Sequence, residues 1–159
     1  MFEGRLLTDE NGKIRGYSYF DSLYKYSYDN LAFDEDDTNK YSFEDYGSHG
    51  SHVAGIITSL TPSNVKILPI KISHENNGSH SAYSSTMLSA YLRVINIYSK
   101  QYEVVCTNLS FGGGGKNSSS EAATFNAQAY QPLLDLNILS FTSAGNSSQQ
   151  NDITGYKAI

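Results

Sequence analysis

The sequence predicts an α/β chain, with a mainly parallel sheet flanked by helices in three layers. Two observations carry this. Apolar residues recur at helical spacing over 49–60 and 84–99, and gather in short strand-like runs over 65–72, 103–109 and 137–142. Counting a third helix over 119–131, the order is helix, strand, helix, strand, helix, strand. Such alternation implies right-handed crossovers and a parallel sheet covered on both faces. Ligands bind beyond the carboxyl ends of strands in sheets of this kind, which here means the loops beginning at Ser110 and Ser143.

A chain of 159 residues is long enough to bury one core, and nothing in it reads as a linker between two domains. The net charge is −5 and the isoelectric point about 5.2, without a basic block. Nucleic acid and anionic membranes are therefore excluded as expected partners. The single cysteine, Cys106, rules out an internal disulfide. Neither a signal peptide nor a run long enough to span a bilayer is visible.

Residues 1–48 read as irregular except for 14–20, whose alternation suggests one short strand. The stretch 21–45 is rich in acidic and aromatic residues without a helical period, and reads as a surface loop. Asp29, Asp34, Asp36 and Asp37 are oxygen ligands of the kind calcium takes, but no EF-hand spacing supports a site. No cofactor is expected. The first helix, 49–60, places Val53, Ile56, Ile57 and Leu60 on one face that should bury, and ends before Thr61-Pro62. Pro69 marks an irregular or edge position in the strand that follows. Residues 74–80 read as a turn, in which His74 and His80 have no evident role.

The second helix carries Met87, Tyr91, Val94, Ile95 and Tyr98 on one stripe. The strand over 103–109 should be buried, with Cys106 a small apolar core residue. Ser118 with Glu121 has capping-box form and opens the third helix, which Pro132 interrupts.

Three stretches carry chemistry. His49 opens the first helix in the run Ser48-His49-Gly50-Ser51-His52-Val53-Ala54-Gly55. The helix dipole disfavours a cationic ring there, so a base in that place needs a carboxylate to support the charge it gains. Gly50 and Gly55 suggest close approach of another chain segment. The second stretch is Thr107-Asn108-Leu109-Ser110-Phe111-Gly112-Gly113, and the third is Ser140-Phe141-Thr142-Ser143-Ala144-Gly145-Asn146. Taken alone, the second is a strand ending in a flexible loop and the third a turn whose Asn tolerates left-handed geometry. A phosphate loop at Gly112–Lys116 fails on spacing. A zinc pair of His49 and His52 lacks both the His-Glu-x-x-His pattern and a third ligand; His52 reads as structural, hydrogen-bonded inside.

Together the three resemble, in order and spacing, the motifs of the subtilisin-like serine proteases, the subtilases, where Thr is usual at the place of Ser51. The resemblance implies a subtilisin-like fold, a peptide or protein substrate, and a secreted or cell-surface setting. It implies His49 as general base, Asn146 as the side-chain donor of the oxyanion hole, and the backbone of Ser110, Phe111, Gly112 and Gly113 as the strand that holds substrate by main-chain hydrogen bonds.

The chain also departs from that pattern. The family's aspartate motif, Asp-[Ser/Thr]-Gly, has no match: Asp21-Ser22 is followed by Leu23. Phe2-Glu3-Gly4-Arg5-Leu6 resembles the stretch shortly after that motif, so the acid is expected upstream of Met1. The nucleophile motif, Gly-Thr-Ser-Met-Ala, is missing, and Ser85-Thr86-Met87 lacks its glycine and precedes the Asn motif. The expectation is an incomplete catalytic domain, its central segment, without proteolysis of its own. A non-catalytic peptide-binding relative is the alternative.

Overall fold

The computed structural model of the protein describes residues 2–19, 45, 47–76, 79–111 and 119–143. They fall into two compact units, Met1–Ala90 and Tyr91–Ile159. In both, helices accompany a short parallel strand pair, as an α/β chain requires.

The first unit opens on a tight turn. The Asp9 carboxylate accepts the amides of Asn11 and Lys13 at 2.9 and 2.8 Å, and Gly12 takes φ 78°, which a side chain would resist. Thr8 then bridges Ile14 antiparallel, and Leu6 bridges Ile67 in parallel. The strand expected over 14–20 contracts to β1 (Tyr17–Ser18), and that over 65–72 to β2 (Ile70–Lys71); they pair in parallel with Tyr17 opposite Ile70. Pro69 explains the late start of β2. It has no N–H to give and contributes only its carbonyl, which accepts the Tyr17 amide at 3.0 Å. The rings of Tyr17 and Tyr19 meet edge to face at 5.0 Å and pack with Ile70, Ile72 and Ala90.

Helix α1 (His49–Leu60) has the predicted bounds. Its predicted burial is not found. None of its residues is buried, and Ile56 and Leu60 are exposed. Periodicity says which face of a helix is able to bury, not what arrives to cover it. The turn expected over 74–80 belongs to an antiparallel hairpin of β3 (Ser73–Asn76) and β4 (Ser79–Ala82).

The second predicted helix exists as α2 (Ser84–Arg93), a π-helical turn (Val94–Tyr98) and α3 (Ser99–Gln101). Tyr91, Val94 and Tyr98 of the predicted stripe are buried, and Ile97 joins them. The π turn accounts for Ile97: one extra residue per turn shifts the phase of the buried face.

In the second unit, β5 (Cys106–Leu109) pairs in parallel with β6 (Leu139–Thr142), Cys106 opposite Leu139 and Leu109 opposite Thr142. Between them run α4 (Ser119–Phe125), a second π turn (Asn126–Tyr130) and α5 (Gln131–Asp135). Pro132 does not end this helix. The π turn has already broken the regular ladder, since the Gln131 amide reaches back to Asn126, and Pro132 occupies the first turn of α5, where a missing N–H costs little. Phe125, Ala129, Leu133 and Ile138 are buried.

The expected burial of β5 fails at Cys106, which is exposed. The strand pair is two-faced. Thr107 and Ser140, paired in register, turn toward the Tyr91 hydroxyl. Cys106, Leu139 and Phe141 stand on the opposite, exposed face. Pleating sends alternate residues to opposite faces, so a strand covered on one side buries only half its side chains.

Candidate active site

His49 is the first residue of α1 and is exposed. The start of the helix is built unusually. Ser48, in the cap position, takes the left-handed conformation with φ 57° and makes no side-chain cap bond, and the first turn holds no acidic residue. The orphan amides of that turn are served instead from outside. The Asp45 carboxylate accepts the Ser51 amide at 2.6 Å, while the Asp45 carbonyl receives the Ser48 amide at 3.4 Å. A carboxylate at the positive end of the helix is favourable in itself. The close approach expected at Gly50 is not found: a Cβ there would lie 3.5 Å from the Asp45 carboxylate, an ordinary contact that does not demand glycine.

The other end of α1 is held by Arg5. Its guanidinium donates to the carbonyls of Thr58, Thr61, Pro62 and Val65 and to the Thr61 hydroxyl. A cation here offsets the negative end of the dipole and serves carbonyls that the helix leaves unpaired. With no buried residue along its length, α1 is fixed through its ends.

His52 does not behave as expected. It is exposed, and its described bond is from its backbone amide to the Ser48 carbonyl at 2.9 Å. It follows His49 by three positions on a helix with no buried residue, and no side-chain bond of His52 is found among the described residues. Among the described residues, no group of three or more His, Cys, Asp or Glu is placed to hold a metal ion. No helix among them is long and apolar enough to cross a membrane.

In the second unit, Ser110 and Phe111 continue directly from β5. The Asn108 side-chain amide donates to the Ser110 hydroxyl at 3.0 Å. Ser143, the first residue after β6, ties the two strand ends together: its amide donates to the Leu109 carbonyl at 3.1 Å and its hydroxyl to the Phe111 carbonyl at 3.0 Å. The predicted residues Gly112, Gly113 and Asn146 lie outside the described residues, as do Asp29, Asp34, Asp36 and Asp37. Of the predicted site residues in this unit, the structure thus describes Ser110 and Phe111, joined to the end of β6 through Ser143.

Beneath β5 and β6 lies a hydroxyl network. The Thr107 hydroxyl donates to Ser140 Oγ at 2.9 Å, and Ser140 and Tyr91 share a hydrogen bond of 3.1 Å. The Tyr91 and Tyr130 rings meet edge to face at 5.5 Å. Burial pushes the Tyr91 phenol above its ordinary range, against the pull of its bond to Ser140. Tyr130 is pushed up by burial first and then by Tyr91.

Sequence reasoning gave no role to Asp45 or Arg5, and placed Ser143 at the start of a loop without its bonds to Leu109 and Phe111. An acidic residue shortly before a helix that has none in its first turn is a readable signal, and would have found Asp45. Arg5 and Ser143 act across long sequence separations and leave no local signal.

Compared with known proteins, residues 12–158 match the model of the subtilase family. No match was found among curated proteins or among solved structures.

Proposed function

Since the chain belongs to the subtilase family, we propose that it is the central part of a serine endopeptidase, with His49 as general base and Asn146 as oxyanion donor. The observation that carries the reading is the family match over 12–158, within which the His, Ser-Phe-Gly-Gly and Ala-Gly-Asn motifs stand in the family's order. The exposure of His49 at the first turn of α1 supports it. On this reading the chain has the family's three-layer α/β fold, with a mainly parallel sheet flanked by helices. Ser110, Phe111, Gly112 and Gly113 hold an extended peptide as an added strand.

The chemistry follows from the roles. The base takes the proton of the serine hydroxyl as it attacks the scissile carbonyl, then returns it to the leaving amine. Negative charge that develops on the carbonyl oxygen is met by the Asn146 carboxamide. Neither Asp-[Ser/Thr]-Gly nor Gly-Thr-Ser-Met-Ala occurs in the 159 residues, so on this reading flanking sequence supplies acid and nucleophile.

That same absence favours a second reading, a peptide-binding relative without catalysis. Reading the flanking coding sequence and labelling its full product with a fluorophosphonate separates the two. The protease reading expects a labelled serine outside residues 1–159, loss of labelling in His49→Ala, and a fall in turnover of about 10²–10³ in Asn146→Ala, the value known for subtilisin itself. A labelled serine within the 159 residues, or a full-length product that neither labels nor hydrolyses peptides, refutes it.

A further inference from the structure

We propose that Asp45 is a positioning residue for His49, holding the first turn of α1 so that the base it carries is presented in one orientation. The inference rests on the protease reading above. Two bonds carry it. The Asp45 carbonyl accepts the Ser48 amide at 3.4 Å, and the Asp45 carboxylate accepts the Ser51 amide at 2.6 Å. One falls on the residue just before His49 and the other two residues after it, so together they bracket the histidine. The carboxylate also runs beside residue 50, where a Cβ would lie 3.5 Å from Oδ2 and 3.7 Å from Cγ.

Among the described residues no other side chain bonds an amide of that turn. Ser48 stands in the cap position but makes no side-chain cap bond, and its φ of 57° is a left-handed conformation that serine adopts at a cost. The first turn has no acidic residue, and no residue of α1 is buried. On the protease reading the acid that orients the ring comes from flanking sequence. What this chain supplies to the base is therefore the backbone that carries it, and Asp45 is what holds that backbone from outside the helix.

The consequence is kinetic. A general base works within hydrogen-bond reach of the proton it takes, about 2.6–3.2 Å. A first turn that frays carries the ring out of reach in a fraction of the molecules. On this reading the peptide is held by other residues, Ser110 and Phe111 among them, so the loss falls on kcat rather than KM. Losing a helix cap shifts the balance between formed and frayed turn by about three- to thirtyfold, which bounds the fall in kcat.

The test uses the full-length product and compares Asp45→Asn, which keeps an acceptor oxygen, with Asp45→Leu, of nearly the same shape without one. Asp45→Ala is the third variant and Arg5→Ala the control. Arg5 holds the far end of the same helix, so its loss costs stability without freeing the first turn. Hydrolysis of a peptide anilide, at a temperature where circular dichroism finds each variant folded, gives kcat and KM. The proposal expects Leu and Ala to lower kcat about three- to thirtyfold with KM within about twofold, Asn to recover most of the loss, and Arg5→Ala to stay within about twofold of wild type. The NMR signals of the His49 ring should move in Leu and Ala but not in Asn. Equal kcat in Asn and Leu, an effect confined to KM, or a fall in Arg5→Ala as large as in Asp45→Leu overturns it and leaves the protease reading intact. A wild-type product without hydrolysis sinks the protease reading, and this proposal with it. If Ala fails to fold, the Asn and Leu pair still decides.

Discussion

Replacing Arg5 by Ala should loosen α1 more than the loss of an ordinary surface cation. The guanidinium makes five donations: Nε to the Val65 carbonyl at 3.2 Å, Nη1 to Thr58 at 2.5 Å, and Nη2 to the Thr61 carbonyl, the Thr61 hydroxyl and Pro62 at 3.4, 2.8 and 3.1 Å. All but the last are partly buried. A hydrogen bond from a charged donor contributes roughly 1.5–3 kcal/mol net, and a cation at a helix C-terminus roughly 0.3–1 kcal/mol. The bonds share one side chain, so they do not add, and ordering an arginine costs up to about 2 kcal/mol. The surplus is about 2–4 kcal/mol, concentrated at the Thr58, Thr61 and Val65 acceptors. Urea unfolding of the chain measures it, and amide exchange in α1 locates it. Arg5→Lys should recover less than half, since an ammonium supplies the charge but not the planar fork. A loss in Arg5→Ala below about 0.5 kcal/mol, the level of an unremarkable surface change, refutes the reasoning. Full recovery in Arg5→Lys refutes the role of the fork.

Two further outcomes are expected. Asp45→Ala should cost about 1 kcal/mol, as for loss of a helix cap, and speed exchange of the Ser51 amide; Asp45→Asn, which keeps an acceptor oxygen, should restore most of both, and unchanged Ser51 exchange in the Ala variant would speak against the cap. Alkaline titration followed by phenolate absorbance should find Tyr91 and Tyr130 ionising above the ordinary phenol range, since both are pushed up by burial. The sign is set by the proton: the folded chain keeps one that the unfolded chain releases near pH 10, so stability is constant below that pH and falls above it. Release of every phenol at one ordinary pH in the folded chain would contradict the burial.

Much of this architecture is legible locally. Residues 49–60 are helical because their apolar spacing and the stop at Thr61-Pro62 agree, and the observed helix has those bounds. The stripe of Tyr91, Val94 and Tyr98 buries as its spacing requires. Where local reading failed, either no neighbour among the described residues buries the face or an irregularity intervened. Ile56, Leu60 and Cys106 are apolar but exposed, because apolar character requires a covering surface and does not provide one. The sequence places the interruption of the third helix at Pro132, but the π turn before it moves the break in the ladder upstream. At the candidate site, the position of His49 at the head of a helix was legible. The support of that helix was not.

The sequence by itself determined most helix and strand segments, though not the hairpin strands β3 and β4, and which motifs they carry, because these depend on residues a few positions apart. Tertiary structure decided the pairings: Tyr17 with Ile70, Cys106 with Leu139, Arg5 with the end of α1, and Ser143 with Phe111. Each joins residues about thirty or more positions apart, and such a bond forms only when chain closure brings donor and acceptor together. The entropy of that closure is offset by the fold as a whole and by no single local preference, so the pattern within any one segment does not encode it.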